Sequence, residues 1–391
     1  MEPLSPIPIP TQIVTIATMT TTCTNAEIAQ MKPRLKKGTL VLPLGQATFV
    51  GRGDFGIEVN LPGAHLILAA MNGSTSCQEI CQEFAVPMEQ LTSVVLDLDH
   101  AHLLDTQETK ITVHTRFHSP NPQRSSHTGD DSNDGAYQQL QYRISPELSF
   151  TTWLHDVRDG GVQLVSARRN CEVLIYGDSR IAILLYGILL SSGISHAGLV
   201  TKREAAAIAD QDLCAGYLRA CDVGLSLKTR TDELKRELSL FPAASSPLAN
   251  EDQILRQMRV AIGRPPADQL QQWMSDGTPH LLVENPDCAS INVGPLVLPG
   301  TTPCSRCVSL AKQDQNIIWR EIQRQQLSAL AEEAPVAVAH HVAGLIGLEL
   351  LRFIDSGQSQ LVGQSLRVDY HSPGTTQPHM FTRHPACGCN W

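Results

Sequence analysis

The sequence predicts an α/β protein: a mostly parallel sheet domain with a four-cysteine metal site, preceded by a small winged-helix-like α+β domain. Three observations carry this. From Cys171 onward, short β-branched and apolar runs alternate with helix-length stretches, the pattern of a parallel sheet covered by helices. Between residues 36 and 115 strand-like runs come first, helical runs follow and one strand closes the set. Two close cysteine pairs, Cys304-Ser-Arg-Cys307 and Cys387-Gly-Cys389, stand far apart along the chain, too far for a self-contained finger, so a shared metal would pin one segment to the body of a larger domain.

Composition bounds the rest. The 391 residues, 42% of them hydrophobic, can fill two or three compact domains. A formal charge of −9 argues against sequence-independent nucleic-acid binding, which needs a basic surface. The longest apolar stretch, Ile181–Leu190, is well short of the roughly 20 residues that span a bilayer and reads as a buried helix.

Residues 1–35 hold Pro-rich and Thr-rich stretches, such as Ile7-Pro-Ile-Pro10 and Thr18–Thr24, and are expected to form a flexible arm. In the domain over 36–115, Leu40–Leu44 and Ala47–Val50 read as strands, with Gly51–Gly56 turning into Ile57–Val59. A helical run from Leu66 stops at Asn72-Gly73, and Thr75 with Gln78 has capping-box spacing ahead of a helix through Phe84. A further helix starts at Pro87 with Leu91, Val94, Val95 and Leu98 on one face, and Lys110–His114 is the closing strand. Polar, turn-rich residues, Ser119–Gly135 above all, make 116–150 a linker. In the domain over 151–391 the strands are Cys171–Tyr176, His196–Val200, Arg259–Ile262, His280–Val283 and Gly294–Leu298, with a helix over Ser179–Ser192 and another over Val336–Ile354.

A C-x-x-C pair lets two thiolates converge on one tetrahedral ion, and the glycine inside Cys387-Gly-Cys389 permits a tighter second bite. Four sulfurs leave no open coordination position, so Cys304, Cys307, Cys387 and Cys389 are expected to hold a structural zinc. Redox pairing and disulfides are the competing readings. The eleven cysteines are an odd number, and the N-terminal residues lack the basic start and apolar core of a signal peptide, which favours a reduced, cytoplasmic protein. Cys77 and Cys81 sit at helical spacing, and Cys171, Cys214, Cys221 and Cys288 lie among apolar residues, where free cysteine acts as a small hydrophobe. His384 is a substitute zinc ligand, whereas His340 and His341, adjacent on a helical run, point different ways and form no metal pair.

The turn Gly177-Asp-Ser-Arg-Ile-Ala182 stands where a glycine-rich loop would bring backbone amides against a phosphate. Only the first glycine of the pattern is present; Ser179 adds bulk and Asp178 a negative charge. It reads as an ordinary strand-to-helix turn, with an intact nucleotide loop as the alternative. At the end of the next strand Thr201 or Lys202 stands in place of a ribose carboxylate, and Asp210 and Asp212 lie further on.

Together with Asp222-Val-Gly224, Gly277–Val283, Val293-Gly-Pro-Leu-Val-Leu-Pro-Gly300 and Ala343-Gly-Leu-Ile-Gly-Leu-Glu349, these features resemble the ThiF/MoeB superfamily, relatives of the ubiquitin-activating enzymes. The likeness runs from residue 165 to 391, and G-P-L-V-x-P-G-x-x-P-C-x-x-C is its most specific part. With Trp319, Gln325-Gln-Leu327 and His384-Pro-Ala-Cys-Gly-Cys389 the chain looks like the actinobacterial ThiF-like proteins of thiazole/oxazole-modified peptide clusters. The resemblance implies a Rossmann-like ThiF-type fold and an N-terminal winged-helix precursor-peptide recognition element, which takes a leader peptide as an added strand. Residues 36–115 match that element in order and length, with Phe49–Val59 as the receiving edge. Implied partners are the precursor (leader) peptide and a separate modifying enzyme, such as a YcaO-type cyclodehydratase. Gly344 and Gly347 suit close helix packing in a homodimer, as in relatives, or equally an intrachain contact.

Active superfamily members adenylate a peptide C-terminus with ATP and magnesium. By resemblance, Thr201 stands at the ribose-carboxylate position, Ala215 at an arginine, Leu227 at a lysine and Gly263 at the magnesium carboxylate. What remains for a degenerate nucleotide site is Gly177, Ser179, Arg180, Lys228 and Arg230. Phosphoryl chemistry depends on positioning and charge neutralisation, and each such group is worth about 3 kcal/mol. The expectation is therefore a catalytically degenerate scaffold that binds a leader peptide. The alternative is an active ATP-dependent adenylyltransferase, activating the C-terminus of a peptide or small sulfur-carrier protein with Lys228, Arg230 and Asp210 from shifted positions.

Overall fold

A computed structural model describes residues 25–105, 131–154, 157–201, 207–214, 217–241, 256–328 and 333–389. The chain divides into two compact units, residues 1–108 and 109–391.

In the first unit the order is α1 (Asn25–Gln30), β1 (Arg34–Leu35), β2 (Leu40–Leu44), β3 (Ala47–Arg52), β4 (Phe55–Val59), α2 (Ala64–Ala70), α3 (Cys77–Phe84), α4 (Met88–His100) and β5 (Leu104–Asp105). Strands β2, β3 and β4 form an antiparallel meander, and β1 pairs with β5. Arg52 pairs with Phe55, so Gly53 and Asp54 alone turn the chain; Gly53 sits at φ 58, the left-handed region that two-residue hairpin loops require. One sheet face is interior: Thr48, Val50 and Val59 are buried in the same unit as Ile67, Leu68, Ile80, Leu91 and Leu98. The periodicity of α4 holds, with Leu91, Val94, Val95 and Leu98 all inward. The cap of α3 lies one residue beyond the expected pair. Ser76 Oγ accepts the Glu79 N–H at 3.3 Å and Glu79 Oε2 accepts the Ser76 N–H at 2.7 Å, because a carboxylate rather than the Gln78 amide reaches back. The strand expected at Lys110–His114 lies outside the described residues.

The second unit opens with α5 (Asp131–Thr151) and α6 (Val162–Ala167). Much of the stretch expected to be a linker is thus helix, and its Leu140 and Ile144, four positions apart, are buried with Val165, Leu240 and Phe241. There follow β6 (Cys171–Tyr176), α7 (Arg180–Ser191), β7 (His196–Val200), α8 (Leu227–Leu238), β8 (Arg256–Ile262), α9 (Ala267–Ser275), β9 (His280–Val283), β10 (Ser290–Val297), α10 (Ser305–Gln315), α11 (Trp319–Ser328), α12 (Val336–Ser356), β11 (Gln364–Asp369) and β12 (Gln377–Met380). Among the described residues these strands make one sheet in the order β12-β11-β10-β9-β8-β6-β7. Strands β7, β6, β8 and β9 are mutually parallel; β10 and β12 run against the rest. The fold is α/β with a mostly parallel sheet, and its antiparallel end was not expected.

Apolar α7 is buried along most of its length, as its sequence required. It packs on α12, where a Cβ at Gly347 would lie 2.9 Å from Ile188 Cγ2. That assigns Gly347 to an intrachain contact. Helix α12 is long and apolar enough to cross a membrane by length and composition, yet Ala339, Val342, Ala343, Ile346 and Leu350 lie inside the unit's core. Arg168 ties the helices together, donating to Glu147 on α5 at 2.6 Å, to Asp355 on α12 at 2.7 Å and to the Ser192 carbonyl after α7 at 2.9 Å.

Candidate functional site

The four cysteines come together. Cys304 is the N-cap of α10 and Cys307 lies in its first turn, while Cys387 and Cys389 flank Gly388, whose φ of 75 lets the chain double back and aim both sulfurs inward. All four sulfurs lie within 4.8 Å of one another, with Cys304–Cys387 and Cys307–Cys389 each at 3.4 Å and Cys304–Cys307 at 3.9 Å. These are not disulfide distances, which would be about 2.05 Å. Zinc–sulfur bonds of about 2.3 Å give a tetrahedral edge of about 3.8 Å, so the cluster fits a tetrathiolate ion. Val297, Met274, Leu282 and Leu310 wall it off.

Charge within the cluster is uneven. Burial raises the Cys307 thiol, but backbone N–H donors at His384 and Cys304 outweigh it and bring it down to about 7. Burial and the neighbouring sulfurs push Cys387 and Cys389 up. A soft divalent cation would let all four ionise together. His384 is no ligand: its Nε2 is 2.9 Å from Asp314 Oδ2, its Nδ1 accepts the Ala386 N–H, and its own N–H points at Cys307 Sγ. Of the other cysteines, Cys171 and Cys214 are buried as expected, whereas Cys221, in the one-turn 3-10 helix Ala220–Asp222, and Cys288, in the turn before β10, are exposed.

The five candidate nucleotide residues divide among three places. Gly177 is close-packed by the protein itself, since a Cβ there would stand 2.9 Å from the Ile262 carbonyl, and its N–H donates to the Val200 carbonyl. Ser179 is the N-cap of α7 but makes no capping bond. The Arg180 N–H donates to Glu333 Oε2 at 3.1 Å and its Nη1 to the Ala334 carbonyl at 3.1 Å. Lys228 lies on an exposed face of α8, 3.4 Å from Asp232, and with Thr201, Tyr186, Thr231 and Lys235 lines a cavity of about 170 Å³. Arg230 does not face a ligand. Its side chain is 2% exposed and contacts Asp222 at 3.3 Å, Glu233 at 3.2 Å and Glu237 at 3.2 Å. Asp222 answers it: burial raises that carboxyl, but the Arg219 N–H and Arg230 hold it below the usual range. Gly263, expected by resemblance at a magnesium position, donates its N–H to the Val283 carbonyl and brings no carboxylate, and Lys202 and Ala215 lie outside the described residues.

In the small unit, Phe49 belongs to the central strand and is paired on both sides, so within Phe49–Val59 only β4 forms an edge of the described sheet. The other edge among the described residues is β2. Leu40, Leu42 and Leu44 project from β2 on one face, exposed, and Leu42 pairs with Phe49 on that same face.

No protein-family model and no curated protein matches the sequence. Solved structures match by fold. Escherichia coli MccB with MccA-N7isoASN superposes with a TM-score of 0.61 at 14% identity, covering 92% of this chain and 99% of that one. The chain has the ThiF-like fold of MccB. MccB with ATP superposes at 0.60, with 13% identity over 91% of this chain and 99% of that one. The heterocyclase TruD matches at 0.53 with 12% identity over 91% of this chain, but only 42% of TruD is covered. Within this MccB-like fold, sequence reasoning found the cysteine quartet and missed Glu333, which meets Arg180 across 153 positions of sequence, so nothing in the sequence around it marks the contact.

Proposed function

We propose that the protein is a cytoplasmic, catalytically degenerate ThiF-like scaffold that binds a precursor peptide by its leader and presents it to a separate modifying enzyme. The observation that carries this is the pair of fold matches: MccB in a structure with MccA-N7isoASN over nearly the whole of both chains, and the heterocyclase TruD over less than half of its length. A chain that matches only part of a heterocyclase suits a division of labour in which a YcaO-type cyclodehydratase supplies the ATP-using ring chemistry. The small unit, three antiparallel strands followed by three helices, is the winged-helix-like recognition element. A leader would add to the β4 edge by main-chain hydrogen bonds, with side-chain pockets giving selectivity. Cys304, Cys307, Cys387 and Cys389 would hold zinc as a closed structural site. Gly344, where an added Cβ meets nothing within 4 Å, leaves α12 open for a second copy.

Titration of a labelled leader peptide against the full chain tests the reading. Saturable binding at micromolar protein is expected, and its absence for every precursor offered sinks the scaffold. The second reading, ATP-dependent adenylation, is favoured by the match to MccB with ATP. ATP–pyrophosphate exchange above background with a candidate peptide would establish it instead; the engagement of Arg180 and Arg230 by protein groups supports the opposite result.

A further inference from the structure

We infer that the Glu333 carboxylate is a built-in occupant of the amino end of α7, holding in cis the place where a phosphate would settle at this turn. The inference rests on the reading of the second unit as a nucleotide-type fold that no longer adenylates. The amino end of a helix concentrates unpaired N–H donors and positive potential, and attracts one anion. Here that anion belongs to the protein. The Arg180 N–H, first of the helix, donates to Glu333 Oε2 at 3.1 Å, across 153 positions of sequence. The next residue adds to the hold, because the Ala334 carbonyl accepts from Arg180 Nη1 at 3.1 Å. Glu333 and Ala334 therefore engage the backbone N–H and the guanidinium of one residue.

Ser179 supplies an independent sign. It has the backbone geometry of an N-cap, φ −81 and ψ 164, yet its side chain caps nothing, and Oγ is buried without a hydrogen-bond partner among the described residues. A serine cap ordinarily accepts from the second or third N–H of its helix; the Ser179 hydroxyl accepts neither, while Glu333 takes the first. A triphosphate arriving at this turn would meet the Glu333 carboxylate at the helix end and Asp178 one residue before the cap. Like charges exclude it.

The test uses the full chain and its Glu333→Gln and Glu333→Ala variants, titrated with ATP and, separately, with inorganic pyrophosphate. The neutral variants should bind at least tenfold more tightly than the wild type, and the Arg180 amide should exchange faster in Glu333→Ala, which removes the acceptor. Equal affinities in folded wild type and Glu333→Gln, or an unchanged Arg180 amide, overturn the inference. Glu333→Gln is nearly isosteric and keeps the test open if Glu333→Ala does not fold. Wild-type ATP–pyrophosphate exchange would remove the underlying reading. A variant that gains ATP affinity without exchange activity supports the plug and leaves that reading standing.

Discussion

Arg230 shows how a single residue's role turns on partners that sequence cannot align. Glu233 and Glu237 sit three and seven positions on, so a charged face of α8 was legible; Asp222 comes from the preceding turn, and only the fold brings it within 3.3 Å. Removing the guanidinium leaves Asp222, 4% exposed, to the Arg219 N–H at 2.8 Å and the Arg219 side chain at 3.6 Å. Arg230→Ala is therefore expected to lower stability by about 1–3 kcal/mol without restoring or removing any nucleotide affinity, which urea unfolding and an ATP titration check together. His280 makes the complementary case. It is fully buried beside Trp273, with Nδ1 at 3.0 Å from the Thr278 carbonyl, and burial lowers its pKa below the usual 6.5. The folded state thus resists the proton that the unfolded state accepts. Stability should be complete above pH 6.5 and decline as pH falls below it, through the depressed folded value. Unfolding of His280→Leu at pH 7.5 and 5.5 should show a smaller pH difference than the wild type; an equal difference assigns the dependence elsewhere.

At the scale of elements, periodicity was the informative signal and local chemistry the unreliable one. Strands β6, β7 and β9 and helices α4 and α7 follow from alternation and apolar spacing, because each buries one face or nearly all of itself. Helix α5 escaped since its polar start and Pro146 mask the Leu140–Ile144 pair that anchors it. Strand β12 was invisible because it is exposed at all four positions and has no apolar side to alternate with. The β2–β4 meander was legible, but which strand lies in the middle was not, as register depends on pairing rather than composition. Its exposed leucines give the element-level prediction. Leu42→Asp places a charge on β2, the edge opposite β4, without disturbing the buried Thr48–Val50–Val59 side, so leader binding should change less than about twofold and the unfolding midpoint should move little. A roughly tenfold loss would move the leader from β4 to the leucine-bearing edge.

For the whole molecule, the cysteine quartet joins the loop after β10 to the segment after β12, so a bound ion would brace the antiparallel end of the sheet. About one zinc per chain is expected by metal analysis, with Cys304→Ser losing metal and cooperative unfolding together; a folded, metal-free wild type would refute the site. The same end of the sheet has a second consequence, in how the protein behaves among its own copies. Strand β12 is outermost in the sheet, and Pro378, opposite Leu366, has no N–H to offer. A foreign strand arriving there finds a pyrrolidine ring where it needs a donor. An exposed sheet margin that would otherwise seed fibres is thereby made a poor template at an edge that no strand of the described residues extends.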